Sequence, residues 1–289
     1  MVAILAMADD PDIDSVRHII ERFVGRAREE FDDRITHWPT NLAQQQVHEV
    51  IGALLARQVT LASELATSPG IWNDQVAPLV LRAMADVYIT LAWITKNPVD
   101  RSRMFIHFGL GQAKLQLEHR TAELATRDPE PREQEYVQSL EAWINRQRFT
   151  FLTDVNVGSW SGISTRQMAE QAGCLDFYNY VYTPFSACAH STWQHVAIYN
   201  LKECRNPLHR FHSVPVIPEL APDLHYLYLG AKYLQKTFAT FDSAFGTIST
   251  LQSALDVLCQ ELQAFEPTTS AQSQTKDEQS PTEPSRHLT

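Results

Sequence analysis

The sequence predicts an all-α protein, a multi-helix bundle with a long C-terminal heptad-patterned helix and a disordered C-terminal tail. Three observations carry this expectation. Apolar residues recur every three or four positions along most of the chain, clusters of Pro, Asn and Gly separate these runs, and no stretch of period-two alternation competes with them. With 289 residues, 44% of them hydrophobic, the chain can bury a large core without disulfide or metal staples. One helical domain is expected over residues 1–265 and the tail over 266–289.

The first helix is expected from Asp12 to Trp38, with Val16, Ile19, Ile20, Phe23 and Val24 at helical spacing. Pro39-Thr40-Asn41 ends it and caps a second helix that runs to about Ala66. Ser68-Pro69-Gly70 reads as a turn. Asn73 or Asp74 then caps a third helix ending before Asn97-Pro98, and a fourth runs from Pro98 to about Ala125. After the break at Arg127-Asp-Pro-Glu-Pro131, a fifth helix is expected through Phe151, with Tyr136, Leu140, Trp143 and Ile144 on one face.

Val157 to Gly162 reads as a loop, followed by a short helix over Arg166 to Gln171 capped by Ser164 or Thr165 and closed by Gly173. Asp176 to Leu201 is helical in composition. Pro184 removes one backbone donor there, so the helix is either kinked, the preferred reading, or restarted with Thr183 as its cap. Cys204 to Pro222 is expected to be an ordered loop whose Phe211, Val214, Val216 and Ile217 find apolar partners. The last helix is expected from about residue 222 to 265. Leu224, Leu227, Ala231, Leu234, Phe238, Phe241, Phe245, Ile248, Leu251, Leu255 and Leu258 form a heptad seam along it, which predicts either packing within the bundle or a homodimer contact. Beyond Pro267 the Ser, Thr, Gln, Glu and Pro composition has no apolar face with which to offset ordering entropy.

Composition also excludes some functions. A formal net charge of −10 opposes non-specific binding of nucleic acid over the whole surface. The apolar opening Met1 to Met7 is too short for a membrane span and lacks the basic flank of a signal peptide, so a cytoplasmic protein with reduced thiols is expected. Val76 to Ile94 is long enough to span a bilayer, but Arg82 and Asp86 would each cost roughly 3 kcal/mol at its centre. It is read as a core helix, and no membrane partner is expected.

That same helix supplies the candidate site. Arg82 and Asp86, at i and i+4 in an otherwise apolar helix, need partners from another helix as well as each other. Tyr178, Tyr182, Ser186 and His190 are each four apart and form a polar line on a helix. If the two meet, His190 is a candidate general base, Arg82 an oxyanion partner, Asp86 the carboxylate holding one imidazole nitrogen, and Ser186 a further catalytic group. Tyr178, Tyr182 and Ser191 are candidate binding groups. The same residues equally describe an inert buried polar network.

Arg82-Ala-Met-Ala-Asp86, the stretch from Trp160-Ser161 to Met168-Ala169, and Tyr178-x3-Tyr182-x3-Ser186-x3-His190-Ser191 resemble an uncharacterised bacterial family, domain of unknown function 5677, over roughly Leu42 to Leu201. The family pattern resembles R-x3-E followed by Y-x3-Y-x2-L-S-x3-H-x-S. This chain departs from it in carrying Asp86 for Glu and Ser191 directly after the histidine. The resemblance implies a helical fold and a shared Arg, acid, Ser and His site, without an activity.

Small helical proteins of this kind also resemble abortive-infection ribonucleases with Arg-x4-6-His on a helix. Arg101 and His107 match that spacing. Arg205 and His212 match it too, but Pro207 breaks the required helix. Cys204, His209, His212 and the more distant His225 could ligate a soft metal, but their spacing matches no standard zinc knuckle, so neither metal nor cofactor is expected. Gly-rich phosphate loops, G-x-S-x-G and H-E-x-x-H are absent from the sequence. Two functions therefore remain open. One is a helical binding or regulatory protein, in bacterial stress or phage defence, that takes a small-molecule ligand. The other is an abortive-infection-type ribonuclease or other hydrolase that acts on RNA through His190 or His107.

Overall fold

Local capping signals fix most of the helix boundaries in the computed structural model, which describes residues 17–147, 159–247 and 249–265. Helix α1 spans Arg17–His37. The Asn41 side chain accepts the Ala43 N–H at 3.0 Å, starting a short 3-10 turn that leads into α2, Gln45–Ala66. Asn73 accepts the N–H groups of Gln75 and Val76, closing the turn just ahead of α3, Ala77–Ile94, whose N-cap is Val76 rather than the expected Asn73 or Asp74. Pro98 and Pro131 open α4, Pro98–Leu124, and α5, Pro131–Asn145, where a missing N–H costs nothing. Ser164 and Gln167 form a capping box on α6, Thr165–Ala172, and Gly173 closes it with φ 76°.

Helix α3 is the central element. It packs against α2, α6, α8 (Thr183–Ala189) and α10 (Leu224–Phe245), and most of its surface is buried inside the bundle although it is long and apolar enough to cross a bilayer. Trp72, fully buried just ahead of it, donates its indole N–H to the Leu65 carbonyl at 2.6 Å. The core continues through α1 and α2 to Phe238 and Phe241 on α10, while α4 packs on α2 and α5 folds back on α4.

The expected C-terminal helix is instead two helices. Helix α10 ends at Gly246, whose φ of 68° favours glycine, and the chain turns back into α11, Ala254–Phe265, which packs on α1 and α10. Ser253 marks the restart, its hydroxyl accepting the Asp256 N–H. Much of the heptad seam is buried within the chain. Leu227, Ala231, Leu234, Phe238, Phe241 and Leu258 all join the common core, so the uninterrupted seam behind the dimer expectation does not exist. Ile248, and the expected tail beyond residue 265, lie outside the described residues.

Three further expectations are corrected. Helix α5 ends at Asn145, short of Phe151, and of its expected apolar face only Ile144 is buried, while Tyr136 and Trp143 are exposed. The Cys204 to Pro222 loop contains half of a small hairpin, β1 (Leu201–Glu203) against β2 (Ser213–Pro215), and its Phe211 and Ile217 are exposed, without the expected apolar partners. The Asp176 to Leu201 segment is broken beyond a kink. Helix α7, Leu175–Phe177, runs through a π-turn over Tyr178–Tyr182 into α8, and α9, Trp193–Tyr199, follows a separate turn.

Charges missed in the sequence tie the bundle together. Glu30 and Arg34 are buried on α1, where Arg34 grips Asp242 of α10 with Nε and Nη2 at 3.0 and 2.8 Å and Glu30 Oε1 with Nη1 at 3.1 Å. The second Glu30 oxygen accepts the Ala254 N–H at 2.6 Å, the first of α11.

Candidate functional site

Pro184 determines how α8 meets α3. It offers no N–H, and the backbone accommodates this by the wider π-turn, in which Thr183 donates both its N–H and, at 3.1 Å, its hydroxyl to the Tyr178 carbonyl. The turn brings Ser186 onto Arg82, whose Nε donates to the Ser186 hydroxyl at 2.7 Å. The guanidinium also pairs with Asp86 and lies 3.3 Å over the Tyr182 ring, which stacks on Tyr178 at 4.8 Å between centroids. Tyr182 donates its phenolic hydrogen to Thr165 on α6 at 3.4 Å.

Arg82, Asp86, Tyr178, Tyr182 and Ser186 therefore come together, but His190 does not. Helix α8 ends at Ala189, which leaves His190 exposed at its C-terminal cap, and its ring makes no hydrogen bond with Arg82 or Asp86. The expected Asp86 to imidazole contact is corrected accordingly. Ser191 is also exposed, and its φ of 47° forms the turn towards α9. Nor is Asp86 a buried charge. Its side chain is 48% exposed against 13% for Arg82, and desolvation raises its pKa more than Arg82 lowers it. With Nε on Ser186, Nη1 on Asp86 and its face on Tyr182, Arg82 acts as a brace between α3 and α8.

Arg101 is also committed elsewhere. It donates to the Trp93 carbonyl at the end of α3 and to Gln171 at 3.3 Å, with its guanidinium 3.8 Å from the Trp93 ring. His107 is half-buried on α4, and six residues along a helix turn it about 120° from Arg101, off the same face.

Behind α8 the structure opens a cleft of about 210 Å³ that sequence reading missed. It lies between the start of α3, helices α8 and α9, and the first turn of α10, lined by Asp74, Pro78, Phe185, His195, Tyr199 and Tyr226 among others. The Asp223 N–H donates to the Trp72 carbonyl at 2.7 Å, and one helical turn into α10 the Tyr226 hydroxyl donates to Asp74. His195 is buried beside Tyr199 and lies 3.3 Å from Gln75. The Cys188 thiol points at the Gln75 carbonyl at 3.4 Å. Burial first and Asp74 second raise the pKa values of Tyr199, Tyr226 and Cys188, so all three are neutral donors at pH 7 around one carboxylate. The pairing of Asp74 with Tyr226 spans 152 positions, and no local spacing announces it.

Residues 48–206, more than half of the chain, match the model of a family described as a family of unknown function (DUF5677). The chain belongs to that family. The matched segment contains the whole Arg82 brace and every cleft residue named above except Tyr226. It begins within α2, a few residues after the Leu42 start of the resemblance seen in the sequence, and ends just beyond β1. No curated protein and no solved structure matches the chain.

Proposed function

We propose that this DUF5677 protein is a helical binding protein whose ligand is a small cationic molecule held in the cleft at Asp74. The observation that carries the reading is the lining itself. One carboxylate, from Asp74, faces neutral phenols and apolar or aromatic walls from Pro78, Phe185, Ile198 and Tyr199, and neither Lys nor Arg lines the cleft. Such a site attracts an ammonium group electrostatically and through ring faces, and has nothing with which to neutralise a phosphate. The Arg82 brace contributes indirectly. By fixing Ser186 on one side of α8, it sets the position of Phe185 and Cys188 on the cleft side.

This lining also favours binding over the ribonuclease alternative, which needs a basic groove and a histidine poised by a partner. Thermal unfolding in the presence of choline, putrescine and, as an anionic control, acetate tests the proposal. A ligand at ten times its Kd stabilises the fold by about 1.4 kcal/mol, so at least one cation should raise Tm by a few degrees while acetate does not. Asp74→Asn, which keeps an acceptor for Tyr226, should abolish the shift. No shift with either cation, or an equal shift in the variant, refutes the reading.

A further inference from the structure

The hairpin at the end of the family segment brings together three of the side chains that the sequence offers as soft-metal ligands, although their spacing matches no standard zinc knuckle. Cys204 directly follows β1 and His212 directly precedes β2, and the Cys204 N–H donates to the His212 carbonyl at 3.0 Å, so the strand ladder places these two residues opposite each other. Between them the chain folds over Asn206. Its side chain accepts the Leu208 N–H at 3.0 Å and its carbonyl accepts the His209 N–H at 3.0 Å, which turns His209 back towards the base of the loop. One ligand atom from each of Cys204, His209 and His212 lies within 4.8 Å of the others.

We propose that Cys204, His209 and His212 form a zinc site with three protein ligands and water in the fourth position. The geometry is close to that of a bound ion. A tetrahedral zinc with ordinary Zn–S and Zn–N lengths holds its sulfur and nitrogen ligands about 3.6 Å apart, and Cys204 Sγ lies 3.6 Å from His209 Nδ1. The His209 and His212 rings are 5.4 Å apart at 70° to each other, and one nitrogen of His212 already lies within 4.8 Å of the other two ligand atoms. A thiolate with two imidazoles selects zinc over calcium or magnesium, which take oxygen ligands. The loop also has a structural use for a cross-link. Leu208 and Phe211 are exposed and Phe211 holds a φ of 60°, so apolar burial does not secure the turn. On binding, the thiol proton is released and the His209 ring proton moves to Nε2, so the Asn206 Nδ2 donor 3.2 Å from that nitrogen must turn aside.

The untagged full chain, freed of metal with a chelator, is titrated with Co(II) and with Zn(II) against a chromophoric competitor. One equivalent should bind per chain, the cobalt form showing tetrahedral visible bands and a thiolate charge-transfer band in the near ultraviolet. Zinc should slow tryptic cleavage after Arg205 and Arg210, which lie within the loop. Cys204→Ser and His209→Ala should each weaken zinc binding by at least about 100-fold, with the helical circular dichroism unchanged, while Cys259→Ser should leave it intact. An octahedral cobalt spectrum, one metal per two chains, or wild-type affinity in either ligand variant would overturn the assignment.

Discussion

Replacing Arg34 with Met tests whether the buried charge network holds α1, α10 and α11 together. The substitution keeps an unbranched chain over Phe238 but removes three hydrogen bonds to Asp242 at 3.0, 3.2 and 2.8 Å, one to the Glu30 carboxylate at 3.1 Å and one to the Glu30 carbonyl at 3.0 Å. Glu30 is left with the Ala254 N–H alone, its side chain only 2% exposed. Breaking a buried pair from one side costs about 3–5 kcal/mol. Asp242 keeps the Thr247 hydroxyl and is 22% exposed, which places this case near the lower end. At about 2–4 °C per kcal/mol for a chain of this class, Tm should fall by about 6–12 °C. Urea unfolding of wild type, Arg34→Met and Arg34→Met/Glu30→Gln supplies the assay. The double variant should recover at least about 1 kcal/mol over the single one, because the stranded carboxylate is gone. A single variant within about 0.5 kcal/mol of wild type, or a double variant worse than the sum of its parts, would refute the reasoning.

Burial, only partly offset by the Ala254 N–H and Arg34, holds the Glu30 pKa above its ordinary 4.5, so its ionisation opposes folding. As pH rises from about 4.5 through the raised folded value, wild type should lose stability relative to Glu30→Gln. Parallel melts across pH 4 to 7.5 check the sign, and a relative gain by wild type contradicts it. Ser186→Ala removes the acceptor of Arg82 Nε and should cost about 1–2 kcal/mol, while His190→Ala at the exposed cap should stay within about 0.5 kcal/mol. Chemical denaturation that ranks them the other way would overturn the placement of α8. Gly230→Ala brings a methyl group to 2.8 Å from Leu65 Cδ2, inside a fully buried contact between α10 and α2, and should cost about 1–3 kcal/mol in the same assay. Gly246→Ala meets no steric obstacle but keeps a φ of 68°, so a loss of about 1 kcal/mol is expected and no loss would argue against the left-handed cap.

Helix starts were legible because their signals are local. Asn41, Asn73 and Ser164 accept the N–H groups two or three residues ahead of them, and Pro98 and Pro131 occupy first turns as their missing donors require. The end of α10 was hidden for the opposite reason. The apolar period continues in phase through Gly246 into α11, so periodicity alone gives no sign of the reversal that Gly246 and Ser253 produce. The polar line from Tyr178 to His190 was legible as far as Ser186, since Arg82 does find Tyr182 and Ser186. His190 fell outside because four-residue spacing assumes a continuous helix, and α8 stops one residue earlier. Asp74 with Tyr226, Glu30 with Ala254 and Arg34 with Asp242 are contacts between residues 152 to 224 positions apart, which only tertiary packing creates.

The return of α11 onto α1 has a consequence for the order in which the bundle is completed. Glu30 and Arg34 emerge from the ribosome more than 200 residues ahead of Asp242 and Ala254, and Arg22 likewise long precedes its partner Glu261. Until those residues arrive, Glu30 and Arg34 have only each other within α1, so burying that face would leave one carboxylate oxygen and the Nε and Nη2 donors unpaired. The helices between can already assemble around α3 through contacts made within residues 45–94 and 165–189. Helix α1 can therefore meet α2 as soon as both are made, but Glu30 and Arg34 gain their full set of partners only when Asp242 and Ala254 of the last two helices are in place.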